Sequence, residues 1–160
     1  MLETDLTIFL RLLIVIVLAG ILGWERESLG KSAGLRTHIL VGVGAVLFVV
    51  IGEMFVEKYR QHDQSMRFDP IRIVEAIVTG ISFLGAGIIF VARDKGVVKN
   101  LTTAASIWTT SAVGMLVGLE RYFLAVGSTI IIFIVLRFLV FLDFKQQQPS
   151  EKPEKSETSQ

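Results

Sequence analysis

The stretch Leu101–Leu119, with the sequence LTTAASIWTTSAVGMLVGL, contains no charged residue and decides the fold class. A second uncharged stretch, Ala76–Ala92, reads AIVTGISFLGAGIIFVA. Their lengths are close to what a helix rising about 1.5 Å per residue needs to cross a bilayer. One soluble core in a chain of 160 residues does not need such stretches. We therefore expect a protein that lives in the lipid bilayer.

Working outward from these two stretches, five apolar segments follow one another, each about 20 residues long and joined by short polar links. They are Leu6–Trp24, Thr37–Val56, Ile73–Ala92, Leu101–Leu119 and Phe123–Leu142. The links leave no room for a folded domain outside the membrane. The sequence therefore predicts an all-α membrane protein, a bundle of five transmembrane helices within residues 1–144. Residues 145–160 are almost wholly polar and are predicted to form a disordered tail.

The composition argues against several functional classes. The chain is 52% hydrophobic and 19% charged, whereas soluble domains average about 45–50% and about 25%. Cysteine is absent, which removes disulfides, thiolate zinc sites and a cysteine nucleophile. Two histidines and a net charge of +1 offer little for a metal cluster or a nucleic-acid surface. We expect no enzymatic activity, no cofactor and no nucleic-acid partner, and leave a metal site open.

The distribution of Lys and Arg sets the predicted orientation. Nine of the 16 basic residues fall on the side that carries the first and third links and the tail, and six fall on the other side. The positive-inside rule assigns the more basic side to the cytoplasm. The N-terminus is thus predicted to lie outside and the C-terminal tail in the cytoplasm.

Small and hydroxyl-bearing residues recur at helical spacing in the third and fourth segments. The fourth carries Thr102, Ser106, Thr110, Gly114 and Gly118, four residues apart. The third carries Glu75, Thr79 and Ser82 on one face, with Gly85 and Gly87 beside them. Such faces favour close helix packing, with hydroxyls bonding across the contact, and we expect the Glu75 face to point into the bundle. The alternative is that these hydroxyls line a path for a solute or an ion.

Three ionisable side chains, Arg11, Glu53 and Glu75, fall in the outer half of the predicted membrane. An ionised group costs several kcal/mol at that depth unless it is paired or hydrated. One hypothesis is that Arg11 pairs with Glu75 or with Glu53. The alternative is that all three side chains reach the headgroups without meeting.

The first link packs five charged residues of both signs between two segments: Glu25, Arg26, Glu27, Lys31 and Arg36. They could neutralise one another in a compact hairpin, an ion-pair latch, with Gly30 and Gly34 permitting the turn. The alternative is a solvated loop, in which each exposed pair contributes only about 0–1 kcal/mol.

This link, which reads GWERESLGKSAGLRTHILVGVGA from Gly23 to Ala45, resembles the MgtC/SapB family of bacterial inner-membrane proteins. The likeness continues through Asp69-Pro70-x-Arg72, the GISFLGAG run from Gly80 and the LTTAA run from Leu101 to Trp108. The positions that match the family pattern are Glu25, Arg26, Glu27, Lys31, Arg36, Thr37, His38, Asp69, Arg72, Gly85, Gly87, Thr102 and Trp108.

The resemblance implies a multi-pass protein of the bacterial inner (plasma) membrane with its N-terminus outside. Family members are associated with adaptation to low magnesium, growth inside macrophages and acid tolerance, and the best-studied type acts on the proton-translocating ATP synthase. Some features depart from the virulence type. A short tail stands where that type has a soluble C-terminal domain, Thr102 and Thr109 replace an Asn and a Cys, and Glu75-Ala76 stands where a Gln is usual.

Two functions follow as expectations. The first is a regulatory protein, acting in the response to low magnesium or acid stress, that binds membrane complexes such as the ATP synthase, or further copies of itself, through small-residue faces that include Gly114 and Gly118. The second is a component of a cation or small-solute transporter or channel, with Glu75, Thr79 and Ser82 along the route.

Overall fold

The computed structural model describes residues 2–60, 69, 71–91 and 99–146, which form five α-helices and, within those ranges, no strand. The helices are α1 (Leu2–Ser28), α2 (Leu35–Arg60), α3 (Ile71–Val91), α4 (Leu101–Gly118) and α5 (Tyr122–Gln146). The all-helical prediction is confirmed. Among the described residues, four helices, α1 to α4, are long and apolar enough to cross a membrane. The apolar stretch of α5 within those residues, Tyr122–Phe138, is shorter.

Local hydrogen bonds fix several helix ends. The Asp69 carboxylate accepts the Ile71 N–H at 3.0 Å and caps the start of α3. After α1, the Gly30 N–H donates to the Glu27 carbonyl and the Lys31 N–H to the Arg26 carbonyl, which is a Schellman turn. Gly30 has a φ of 62° there, a conformation that glycine adopts without penalty.

The end of α4 repeats this turn without glycine. The Glu120 N–H donates to the Val117 carbonyl and the Arg121 N–H to the Leu116 carbonyl, again the Schellman pattern. The left-handed position is held by Glu120, with a φ of 59°. A side chain in that conformation costs roughly 1–2 kcal/mol, so a compensating contact is expected for Glu120.

Helix α4 is the centre of the bundle and packs most closely against α2. A Cβ atom added to Gly114 would lie 2.6 Å from the Gly42 carbonyl oxygen, and one added to Gly118 would lie 2.8 Å from Val49 Cβ. These two glycines therefore pack inside the chain. The expectation that their face binds another protein or a second copy is wrong, because α2 already covers it.

The bundle has a small apolar core. Its buried members are Val15, Leu18, Val46, Val50, Val113, Val117 and Ala125. They come from α1, α2, α4 and α5, and α3 supplies none of them. Helix α3 instead lies at the edge of the bundle, where Gly85 is buried near Ala104 and Gly87 is exposed to open space.

Helix α5 extends beyond the predicted start of the tail. It continues through Gln146, so the first two residues that the sequence assigns to the tail, Lys145 and Gln146, are helical. The remaining tail residues, 147–160, lie outside the described part of the chain.

Candidate functional site

Glu25 and Arg26 form a sealed ion pair in the last turns of α1. Arg26 Nε donates to Glu25 Oε2 at 2.5 Å and Arg26 Nη2 donates to Glu25 Oε1 at 2.9 Å, a two-pronged geometry. The side chains are only 1% and 2% exposed. Arg26 Nη2 also donates to the Leu136 carbonyl at 3.3 Å. The pair therefore joins the end of α1 to the middle of α5.

Glu27 supports the same turn in a different way. Its Oε2 accepts the Leu35 N–H at 2.8 Å and so caps the first turn of α2. A Cβ atom on Gly34 would lie 2.6 Å from that oxygen, and one on Gly23 would lie 2.7 Å from Leu35 Cα. The link forms a compact hairpin, and Gly23 and Gly34 allow its two helices to touch. Of the ion pairs predicted among its five charged residues, the described part of the chain shows Glu25–Arg26.

His38 connects this hairpin to α4. It is fully buried, with Nδ1 2.9 Å from the Gly34 carbonyl and Nε2 3.2 Å from Ser106 Oγ. A carbonyl only accepts, which assigns a proton to Nδ1. Ser106 Oγ also donates to the Thr103 carbonyl at 2.8 Å. With a neutral imidazole, the single Ser106 hydroxyl proton is therefore shared between His38 Nε2 and Thr103.

Other matched residues lie at the surface. Lys31 and Arg36 are exposed and Thr37 is half-buried. Trp108 is 45% exposed and Trp24 is 63% exposed, as is common for tryptophans at a membrane interface. The family motif therefore divides into a group that holds the hairpin and an exposed group around it. We name the first group, in which Glu25, Arg26 and His38 are buried and Glu27 is exposed, the hairpin latch.

Arg11 forms a second cluster near the opposite end of α1. Its Nη1 donates to Glu53 Oε2 at 3.1 Å and to the Gly118 carbonyl at 2.8 Å, and its Nη2 donates to the Glu120 carboxylate. The Gly118 carbonyl belongs to the last turn of α4, where a cation is favoured. We call Arg11, Glu53 and Glu120 the open cluster, because the Arg11 side chain is 10% exposed whereas the two carboxylates are 48% and 53% exposed.

The geometry of the open cluster distinguishes the two hypotheses for Arg11, which were pairing with a carboxylate and reaching the headgroups alone. Pairing with Glu53 is confirmed, whereas Glu75 lies exposed on α3. Sequence reasoning missed Glu120. A signal was present, because Gly118-Leu119-Glu120-Arg121 repeats the residue pattern of Gly23-Trp24-Glu25-Arg26 and ends a predicted span. Arg11 Nε remains buried without a hydrogen-bond partner among the described residues.

The hydroxyls of α4 serve its own backbone. Thr110 donates to the Ser106 carbonyl at 2.7 Å, and Thr109 and Ser111 make similar bonds. Ser106 is the member of the predicted stripe that also reaches another helix, through His38. Thr102 is exposed, so it does not share the buried face. This geometry supports packing as the role of the stripe rather than a polar path.

The third-segment face points away from the bundle, contrary to the sequence expectation. Glu75, Thr79 and Ser82 are exposed. Helix α3 turns Ile77 and Gly85 inward instead. Nothing in a helical repeat specifies which of two permissible faces meets protein, since small residues and apolar residues both pack well in lipid.

Both carboxylates of the hairpin latch already have hydrogen-bond partners. Glu25 binds Arg26 and Glu27 caps α2, so neither carboxylate is placed as a general base. Within the described residues, no three His, Asp or Glu side chains are arranged to hold a metal ion. The chemistry of the site is that of holding helices together.

Comparison with known proteins shows which family and which relatives the chain is similar to. A model of the MgtC family matches residues 12–144. The "Putative magnesium transporter YhiD" of Escherichia coli K12 is 39% identical over 136 residues, which are 85% of this chain and 62% of the relative. Protein MgtC of Brucella abortus strain 2308 is 41% identical over 119 residues, 74% of this chain and 45% of that protein. An uncharacterized Synechocystis protein is 38% identical over 146 residues, with coverages of 91% and 58%.

The chain therefore spans between 45% and 62% of the length of these curated relatives. No solved structure matches it.

Proposed function

The chain belongs to the MgtC family, and from that premise we propose that it is a non-enzymatic, multi-pass protein of the bacterial inner membrane that acts by binding other membrane proteins. In this proposal five helices cross the bilayer, with the N-terminus outside and the C-terminal tail in the cytoplasm. Its physiological setting, by family resemblance, is adaptation to low magnesium or to acid stress.

The spacing of the two arginine clusters supports insertion in a bilayer. Arg11 and Arg26 are fifteen residues apart on α1, which corresponds to about 22 Å. The hydrocarbon layer is about 30 Å thick. The apolar core of the bundle lies between the two clusters, so each arginine lies within a few ångströms of a headgroup region.

One observation carries the proposal of a binding function. The outer face of α3, formed by Glu75, Thr79 and Ser82, is exposed, whereas the comparable face of α4 is covered by α2. Polar side chains within a membrane normally face protein or water. We therefore assign the outer face of α3 to contact with a partner. The proton-translocating ATP synthase is the candidate that the family resemblance supplies, and a second copy of the chain is the other.

The experiment uses the natural absence of cysteine. Thr79→Cys places one thiol on the outer face of α3, and Ile131→Cys places one on α5, where Ile131 is 64% exposed. In native membranes, a thiol crosslinker should join a protein to Thr79→Cys and not to Ile131→Cys. A bulky Thr79→Phe variant should then lose the low-magnesium or acid phenotype, while Ile131→Phe keeps it. Equal behaviour at the two positions would overturn the assignment.

Cation transport is the second candidate, and it has its own support. A relative is named for magnesium transport, and a carboxylate with two hydroxyls shares the outer face of α3. Several copies facing one another could enclose those groups in a route. Magnesium flux into liposomes that contain the pure protein, abolished by Glu75→Gln, would favour this candidate. Flux no greater than in empty liposomes would favour the binding function.

A further inference from the structure

A long groove lies between α2 and α3 and is lined by residues of these two helices. It consists of two cavities of about 340 and 440 Å³. Phe48, Ala76 and Ile77 line both cavities, so the two lie next to each other. Their volumes fall in the usual range for small-molecule sites, about 300–1,000 Å³. We call this feature the α2–α3 groove.

The two helices meet at one end of the groove and separate toward the other. A Cβ atom on Gly52 would collide with the Ile73 side chain, because that side chain lies directly against the Gly52 backbone. Farther along, Gly44 and Gly80 line the groove from opposite walls, and a Cβ on either would meet nothing within 4 Å. From Phe55 to Leu40 the groove follows fifteen residues of α2, or about 22 Å.

The lining is apolar with one exception. Arg72, in the first turn of α3, borders the narrow end of the groove and is exposed. The nearby carboxylates do not pair with Arg72. Glu53, on α2, is engaged by Arg11, and Glu75, three residues after Arg72 on α3, forms no ion pair with it among the described residues.

We infer that the α2–α3 groove binds one acyl chain of an anionic phospholipid, with the lipid phosphate held by the Arg72 guanidinium. An acyl chain is slim, flexible and apolar over the length that the groove offers. A second helix, about 10 Å across, does not enter the end at which Gly52 meets Ile73. Arginine suits a phosphate because its N–H groups match two oxygens at once.

The position of Arg72 agrees with a headgroup contact. It lies beside the start of α3 and close in height to Glu53 of the open cluster, since the neighbouring Gly52 and Ile73 touch. That level is near one surface of the bilayer in the proposed insertion. The acyl chain would then run toward the bilayer centre along Phe48, Gly44 and Gly80. The inference does not depend on which partner binds the outer face of α3.

Native mass spectrometry of the delipidated full chain in detergent tests the inference. Phosphatidylglycerol and a diacylglycerol of identical acyl chains, which has no phosphate, are offered in equal amounts. The wild type should retain phosphatidylglycerol about tenfold more, the discrimination expected from one charge-assisted hydrogen-bonded contact. Arg72→Gln should lose that preference and still bind lipid. Gly80→Leu, which fills the groove from one wall, should lose both lipids.

Matched controls come from the same chain. Arg121→Gln removes another exposed arginine near the same end of the bundle, and Gly127→Leu adds the same bulk on α5, where a Cβ also meets nothing within 4 Å. Both should behave as wild type. If Gly80→Leu fails to give the wild-type circular dichroism spectrum, Gly44→Leu fills the groove from the opposite wall.

Three results would overturn the inference. Equal retention of phosphatidylglycerol and the phosphate-free diacylglycerol by wild type would remove the role of Arg72. Lipid binding by the groove-filling variants at the level of Gly127→Leu would place the lipid elsewhere. A dimer that carries no lipid in wild type, and becomes monomeric in Gly80→Leu, would make a second copy of the chain the occupant.

Discussion

The two ends of α1 each bury an arginine, and they satisfy it in different ways. In the hairpin latch, Arg26 has one carboxylate, that of the adjacent Glu25, and both side chains are almost completely enclosed. In the open cluster, Arg11 has two carboxylates that are distant in sequence, Glu53 on α2 and Glu120 in the turn after α4, each about half exposed. The Glu25–Arg26 pair is neutral, whereas Arg11 with Glu53 and Glu120 has a formal net charge of −1.

The difference in exposure between the two clusters distinguishes two structural roles of an ion pair. A sealed pair has given up its hydration and depends entirely on its geometry, so the loss of one partner leaves a buried charge. Half-exposed carboxylates keep part of their water, so each contributes less and can be lost more easily. We therefore expect the latch to determine whether the hairpin folds and the open cluster to adjust how α1, α2 and α4 meet.

The largest expected effect comes from breaking the sealed pair. Glu25→Gln leaves the Arg26 guanidinium buried without a counter-charge, and we expect the free energy of unfolding to fall by about 3–5 kcal/mol. Denaturation of the detergent-solubilised protein, followed by circular dichroism, measures the loss. The double variant with Arg26→Met should recover most of it, because both charges are then absent.

Arg36→Gln is the control for that experiment, since Arg36 is charged, exposed and in the same motif. Its change should stay within about 0.5 kcal/mol of wild type. A Glu25→Gln variant as stable as Arg36→Gln would show that the latch is hydrated in the membrane, and the contrast between the two clusters would disappear.

The second-largest loss in the free energy of unfolding is expected from Arg11→Met. This change removes the contacts of α1 with Glu53, Glu120 and the Gly118 carbonyl, but the carboxylates that remain are already half hydrated. We expect a loss of about 1–3 kcal/mol in the same denaturation measurement. Arg121→Met, at an exposed arginine of the neighbouring turn, is the matched control. A loss as large as that of Glu25→Gln would mean that the open cluster is as sealed as the latch.

The sequence predicts the latch better than the open cluster, for a physical reason. Glu25, Arg26 and Glu27 are neighbours along the chain, and the Gly30 turn that follows them is visible as a glycine between two apolar segments. Arg11 and Glu120 are joined across 109 positions. Hydropathy locates α1, which carries Arg11, and the end of α4, which Glu120 follows, but it does not specify how α1 and α4 are rotated against each other.

The orientation of α3 escaped prediction for a related reason. In water, an apolar stripe identifies the buried side of a helix. In lipid, both an apolar side and a small-residue side are acceptable, so periodicity finds the two faces of α3 without assigning them. The sequence therefore identifies Glu75, Thr79 and Ser82 as a set and leaves their direction to the three-dimensional structure.

A smaller effect concerns the turns beside the two clusters. Gly30→Ala places a side chain in a left-handed conformation where no atom lies within 4 Å, so its effect is conformational alone. We expect a loss of about 1 kcal/mol. Glu120→Gly relieves that penalty at the equivalent position after α4 and removes one half-exposed partner of Arg11, so its net change should be near zero. If Glu120→Gly instead destabilises as much as Arg11→Met, Glu120 is the dominant partner in the open cluster.

The smallest expected loss of stability, that of Glu53→Gln, tests whether the two clusters respond differently to salt. Glu53→Gln removes one of the two half-exposed carboxylates, and we expect it to cost about 0–1 kcal/mol at low ionic strength. Screening shortens from about 10 Å at 0.1 M salt to about 3 Å at 1 M, so this loss should shrink in sodium chloride. The loss caused by Glu25→Gln should not change, because salt does not reach a side chain that is 2% exposed. Denaturation of both variants at the two salt concentrations is sufficient. Salt dependence in Glu25→Gln would place the latch in contact with water, whereas a salt-independent loss in Glu53→Gln would place the open cluster out of contact with it.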